Sequence, residues 1–83
     1  MRNEVTIATT MTPYSVLVVE DNQDLVIGLQ DLLHHDGYAV TVAGTVAGAI
    51  ELVRAHRFNV ILLDLGLLSA ASPVLIAAFL SQV

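Results

Sequence analysis

Apolar residues fall along this chain in two rhythms, short unbroken runs and stretches with helical spacing, and the rhythm switches repeatedly from Ser15 onward. Ser15–Val19 (SVLVV) is a Val-rich run between Pro13 and the acidic pair Glu20-Asp21, the pattern of a strand buried on both faces. From Asp24 the spacing changes. Leu25, Leu29, Leu32 and Leu33 recur at i, i+4, i+7 and i+8, with Asp24, Gln30, Asp31 and His34 elsewhere. This predicts an amphipathic helix over Gln23–Asp36, begun by Asn22 as N-cap and stopped by Gly37. Tyr38–Ala43 (YAVTVA) alternates and is rich in β-branched residues, which predicts a second strand. Thr45 is suited to cap a second helix running to about His56, with Ala49, Ile50 and Val53 inward. Phe58–Leu63 (FNVILL) predicts a third strand that ends on Asp64. Gly66–Ser72 reads as a loop, and Pro73 suits the first turn of a third helix, Pro73–Gln82.

The order is therefore β-α-β-α-β-α with short connections. Strands alternating with helices in this way call for right-handed crossovers, a parallel sheet and helices on both of its faces. Residues 1–13 read as a loose, Thr-rich leader with a weakly signalled strand at Glu4–Ala8 and without the long apolar core of a signal peptide. Residues 14–83 form the domain.

Composition sharpens the picture. Hydrophobic residues make up 55% of the chain and charged residues 13%, and the mean hydropathy is +0.75. That is the composition of a domain interior with little surface to go with it, and it suggests a missing piece. A net charge of −5, with three Arg and no Lys, leaves no basic patch to track nucleic-acid phosphates or an anionic membrane surface. The chain has no Cys, which rules out disulfides and thiolate metal sites and fits a reducing cytoplasm.

The acidic residues at the strand ends carry the chemistry. Ligands of a doubly wound sheet gather outside the carboxyl ends of its strands. Glu20 and Asp21 follow the first strand and Asp64 ends the third, so if these strands are neighbours, three carboxylates converge. Carboxylates that close repel one another, and a hard divalent cation is the physical remedy. Mg²⁺ takes one or two carboxylates, waters and a phosphate oxygen. Beside such a cation, Asp64 is suited to attack phosphorus and form an aspartyl-phosphate.

VLVVEDN, then DGYAVTVAGTVAGAIELV, then FNVILLDLGL, resembles the receiver domain of two-component response regulators, without gaps from about Ser15 to Leu68. The resemblance implies a flavodoxin-like, CheY-like doubly wound sheet in the order 2-1-3, with one helix on one face and two on the other. It further implies that Asp64 is the phosphoacceptor for a histidine kinase or phosphotransfer protein. Asp21 would ligate Mg²⁺ directly, Glu20 would act through water, and the Gly66 carbonyl would be a further ligand. Leu68 stands where the family usually has Pro. The family's later Ser or Thr and its Lys, which follow a fourth and a fifth strand, find no counterpart before Val83. The expectation is thus a receiver truncated after three strand–helix units, with the carry-over confined to the metal-binding half. Such a protein is an acceptor rather than an enzyme.

Plainer readings stand beside these. Asp64 is also a residue that caps a turn at a strand end, and Glu20-Asp21 could be a solvated loop pair. Asp24 suits the dipole of a first helical turn. His34, His35 and His56 read as surface residues, Arg54 as part of a solvated face and Arg57 as the end of its helix. Two alternatives of other classes are open. One is a receiver-like interaction module that is never phosphorylated, pairing with a partner or with itself through the uncovered edge of the third strand. The other is a membrane anchor in the uncharged stretch Leu65–Val83, opposed by Pro73, three Ser and Gln82 within it.

Overall fold

The computed structural model describes residues 14–83, so the leader and the strand expected at Glu4–Ala8 lie outside the described residues. The elements are β1 (Ser15–Val19), α1 (Gln23–His35), β2 (Ala39–Ala43), α2 (Val46–Ala55), β3 (Val60–Leu63), α3 (Leu65–Ala70) and α4 (Pro73–Gln82). The three strands form a parallel sheet in the order β2-β1-β3, as expected. From β1 the chain steps to one side and then back across to the other. Right-handed crossovers therefore put α1 and α2 on opposite faces of the sheet.

The central strand is the core. Val16, Leu17, Val18 and Val19 are all buried, as the unbroken SVLVV run requires. Full burial of each such side chain stabilises the fold by about 1.5–3 kcal/mol. Leu17 and Val19 join Ala43, Val46, Ala49, Ile50 and Phe79 in one cluster, with Ile61, Leu63, Leu67 and Leu68 packed against it. Phe79 is the single buried residue of α4 and seats that helix beside α2 on the same face. The expected one helix against two becomes one against three, because α3 joins α2 and α4 on their face through Leu67 and Leu68.

Helix ends follow local chemistry closely. Asn22 Oδ1 accepts the Leu25 N–H at 3.1 Å, and Thr45 Oγ1 accepts the Gly48 N–H at 2.9 Å. α1 closes in a Schellman motif: the Gly37 N–H donates to the His34 carbonyl and the Tyr38 N–H to the Leu33 carbonyl. Gly37 has φ +89°, a conformation that costs a residue with a Cβ and leaves glycine unstrained.

Three expectations need correction. Gly66–Ser72 is not an open loop, because Leu65–Ala70 forms α3. The segment LGLLSA is rich in Leu, and Asp64 caps it; the helix stops because Ser72 precedes Pro73 and is held extended at ψ 153°. The stripe of α1 is also rotated. Val26 is buried and Leu29 and Leu33 are half-buried, whereas Leu25 and Leu32 are 49% and 59% exposed. Finally, β3 starts at Val60 rather than Phe58. Asn59 uses its side chain at the strand entrance, where Oδ1 accepts the Ser15 N–H at 2.8 Å. The break before Pro73 also splits the uncharged stretch into helices of 6 and 10 residues. Among the described residues no helix is long and apolar enough to cross a membrane.

Candidate metal centre

Backbone pairing delivers the acidic residues to one edge of the sheet. Val19 lies opposite Leu63, so the residues that follow each strand emerge side by side. The Asp64 N–H donates to the Val19 carbonyl at 3.0 Å, and the Glu20 N–H donates to the Ala43 carbonyl at 3.0 Å. Asp64 is thereby tied to β1 and Glu20 to β2, which fixes where both side chains begin.

Side-chain bonds then orient two of the carboxylates. Glu20 Oε2 accepts the Asn22 N–H at 3.1 Å. Asp64 Oδ1 accepts the Gly66 N–H at 2.9 Å. Asp21, between Glu20 and the cap residue Asn22, is exposed, while Glu20 and Asp64 are half-buried. Glu20, Asp21 and Asp64 each offer a carboxylate oxygen, and these oxygens lie within 4.8 Å of one another. The two described arginines belong elsewhere: Arg54 is in the last turn of α2 and Arg57 precedes β3, at the opposite end of the sheet.

This donor set fits a hard divalent cation. Opposite ligands of an octahedral Mg²⁺ are about 4.2 Å apart, so a small side-chain adjustment or an intervening water closes the cluster around it. The Gly66 carbonyl, expected as a further ligand, accepts the Ser69 hydroxyl at 3.1 Å within α3. A Cβ on residue 66 would come within 3.3 Å of Asp64 Oδ1, so a larger residue there would have to shift that carboxylate by a few tenths of an ångström.

The plain reading of Asp64 as a cap therefore holds alongside its place in the acidic cluster, since one carboxylate is in a position to serve both. Asp24 lies in the first turn of α1, and His34, His35 and His56 are exposed and outside the cluster. Sequence reasoning missed Ser69. Its signal was available in principle: a serine three residues after a first-turn glycine is positioned to bond back to that carbonyl.

Acidic residues at the carboxyl ends of adjacent parallel strands, on a sheet ordered 2-1-3, define a flavodoxin-like α/β domain with its candidate ligand site at the strand ends. Residues 16–71 match the response regulator receiver domain, and the chain belongs to that family. It is 42% identical over 52 residues to the transcriptional regulatory protein PmrA of Pectobacterium parmentieri. That match covers 63% of this chain and 23% of the relative, so the chain spans about a quarter of that protein's length. No solved structure gives a significant match. The chain is thus a receiver domain of the response-regulator type, and its acidic cluster is a donor set suited to a divalent cation.

Proposed function

We propose that the unit formed by residues 14–83 accepts a phosphoryl group on Asp64 from a histidine kinase or phosphotransfer protein in the cytoplasm. The observation that carries this reading is the meeting of Glu20, Asp21 and Asp64 oxygens within 4.8 Å beside a strand-end backbone that pairing holds rigid. Asp21, the exposed member, is the direct Mg²⁺ ligand, and Glu20, held back by the Asn22 N–H, acts through water. Bound Mg²⁺ supplies positive charge against the phosphoryl oxygens. An Asp64 carboxylate oxygen attacks the phosphorus of a phosphohistidine. A new O–P bond forms as the N–P bond breaks, and the imidazole leaves with the electron pair. The 83 residues include no Lys, so within them the incoming charge falls to the metal alone and transfer is slow.

Acetyl phosphate with Mg²⁺ tests the reading directly. Radiolabel should enter the chain as a hydroxylamine-sensitive acyl phosphate and map to Asp64. Label on another residue would overturn it.

A second reading, a receiver-like module that binds partners without being phosphorylated, has its own observation. The outer edge of β3 is unpaired among the described residues, and Val60 and Leu62 on it are 41% and 38% exposed. Beryllofluoride with Mg²⁺ discriminates, since only a working acceptor binds it through Asp64.

A further inference from the structure

We propose that two copies of this chain join antiparallel along β3 into one six-stranded sheet, and that each copy lends its Arg57 to the acidic cluster of the other. The edge dictates how the strands meet. Backbone polar groups alternate sides along a strand, and the Asp64 N–H points to β1. Those of Ile61 and Leu63 therefore point outward, where no strand among the described residues meets them. An antiparallel copy centred on Ile61 satisfies them. Ile61 faces its own image and exchanges both backbone hydrogen bonds with it, and Val60 lies opposite Leu62. Residues opposite one another share a face of the sheet. The exposed Val60 and Leu62 thus cover each other on one face, while on the other Ile61 meets Ile61 beside the groove that also takes in Phe58, Leu63 and Phe79.

Charge selects a second copy as the occupant of this edge. One end of β3 is acidic, where Asp64 lies with Glu20 and Asp21 within 4.8 Å. The other end is basic. Arg57 is exposed there, and its carbonyl accepts the Ser15 hydroxyl at 3.1 Å, which ties the residue to the start of β1. Within one copy the two ends are held apart by the length of the strand. Antiparallel pairing about Ile61 sets Phe58 of one copy opposite Asp64 of the other, with Arg57 one step further along. Neighbouring strands are about 4.8 Å apart, a gap that an arginine side chain spans, so its guanidinium meets the carboxylates. A parallel copy would instead set acid beside acid, and it could not close on a twofold axis. The antiparallel pair uses up both edges and stops at two copies. It holds apart from the metal reading, because the three carboxylates attract a guanidinium whether or not Mg²⁺ is their ligand.

Exchanging the charges tests the pairing in the 83-residue chain. Arg57 and Asp21 are both exposed, so substitution at either leaves the packing of the core alone. Arg57→Glu should raise the dimer dissociation constant about tenfold in sedimentation equilibrium, because it sets like charges together at two symmetric places. Asp21→Arg should weaken self-association to a similar degree by placing a cation where the partner's Arg57 arrives. Mixed in equal amounts, the two variants should pair with each other about as tightly as two parent chains do, since each then offers the other the opposite charge at both places. Recovery on mixing separates this dimer from association through exposed apolar side chains, which the exchange would not restore. A parent chain that stays monomeric or grows past two copies would overturn the proposal. So would unchanged dimerisation of either variant alone, or no recovery in the mixture.

Discussion

Val19 and Leu63 stand opposite each other in adjacent parallel strands, and this pairing places Asp64 beside Glu20 and Asp21. A shift of one residue in that register would carry Asp64 away by about 3.3 Å and turn the alternation of β3 inside out. The site is thus a consequence of the sheet, and its first test is whether it binds metal.

Asp21 is the most exposed of the three acids, and its carboxylate accepts no hydrogen bond from the described residues. Asp21→Ala should therefore remove most of the Mg²⁺ affinity while leaving the fold intact. Equal Mg²⁺ uptake by Asp21→Ala and the parent chain in equilibrium dialysis would exclude Asp21 as the principal ligand.

Asp64 has two roles that substitution separates. Asn is as good a helix cap as Asp, so Asp64→Asn should keep α3 while abolishing acyl-phosphate formation from acetyl phosphate. Asp64→Ala should lose both, with a cost of about 0.5–2 kcal/mol to that end of the fold from the missing cap. Label retained by Asp64→Asn would assign the acceptor to a different residue.

The strands, the caps and the acidic edge could be read from residue types because each rests on short-range chemistry. SVLVV is apolar on both faces and so belongs in the middle of a sheet, and Asn22, Gly37 and Thr45 act within a single turn. What escaped the reading depended on neighbours. The apolar arc of α1 includes Leu25, Val26, Leu29, Leu32 and Leu33, and periodicity marks that arc without saying which edge of it meets the sheet. The sheet takes Val26, Leu29 and Leu33. Helix α3 was hidden because Gly66, Ser69 and Ser72 resemble loop punctuation, whereas Asp64 as cap and the three leucines decide otherwise. The partners of Asp64 Oδ1 and of the Gly66 carbonyl became visible only with that helix in place.

Docking of α4 depends on one side chain. Phe79 is 3% exposed within the cluster shared with Leu17, Val19 and Ile50, while its neighbour Leu80 is 58% exposed. Phe79→Ala should destabilise the chain by about 3–5 kcal/mol, enough to release the helix from α2. Leu80→Ala should stay within about 0.5 kcal/mol of the parent. Urea titration followed by circular dichroism checks both, and similar losses from the two changes would mean that α4 is not seated as described.

The outer edge of β3 leads to the last prediction. Val60–Leu63 pairs with β1 on one side only, and among the described residues its other side presents unpaired backbone donors and acceptors. The strand has none of the Lys, Pro or bulge that usually blunts an edge. Alongside runs a groove of about 630 Å³ whose apolar wall, Phe58, Ile61, Leu63 and Phe79, is rimmed by His56, Arg57, Asn59 and Gln82, and α4 leaves Val74 and Leu80 in solvent at 77% and 58% exposure. An unpaired apolar edge together with exposed apolar side chains on α4 favours association, so the chain alone should self-associate or aggregate at micromolar concentration unless a partner supplies the neighbouring strand. The alternation of β3 says where to interrupt this. Ile61 and Leu63 pack toward the core, whereas Leu62 alternates to the other face and is 38% exposed. Leu62→Lys should accordingly restore a smaller species at little cost to the core, while Ile61→Lys should unfold the chain. Sedimentation velocity decides the matter: a sharp monomer boundary for the unmodified chain would rule out association through this edge.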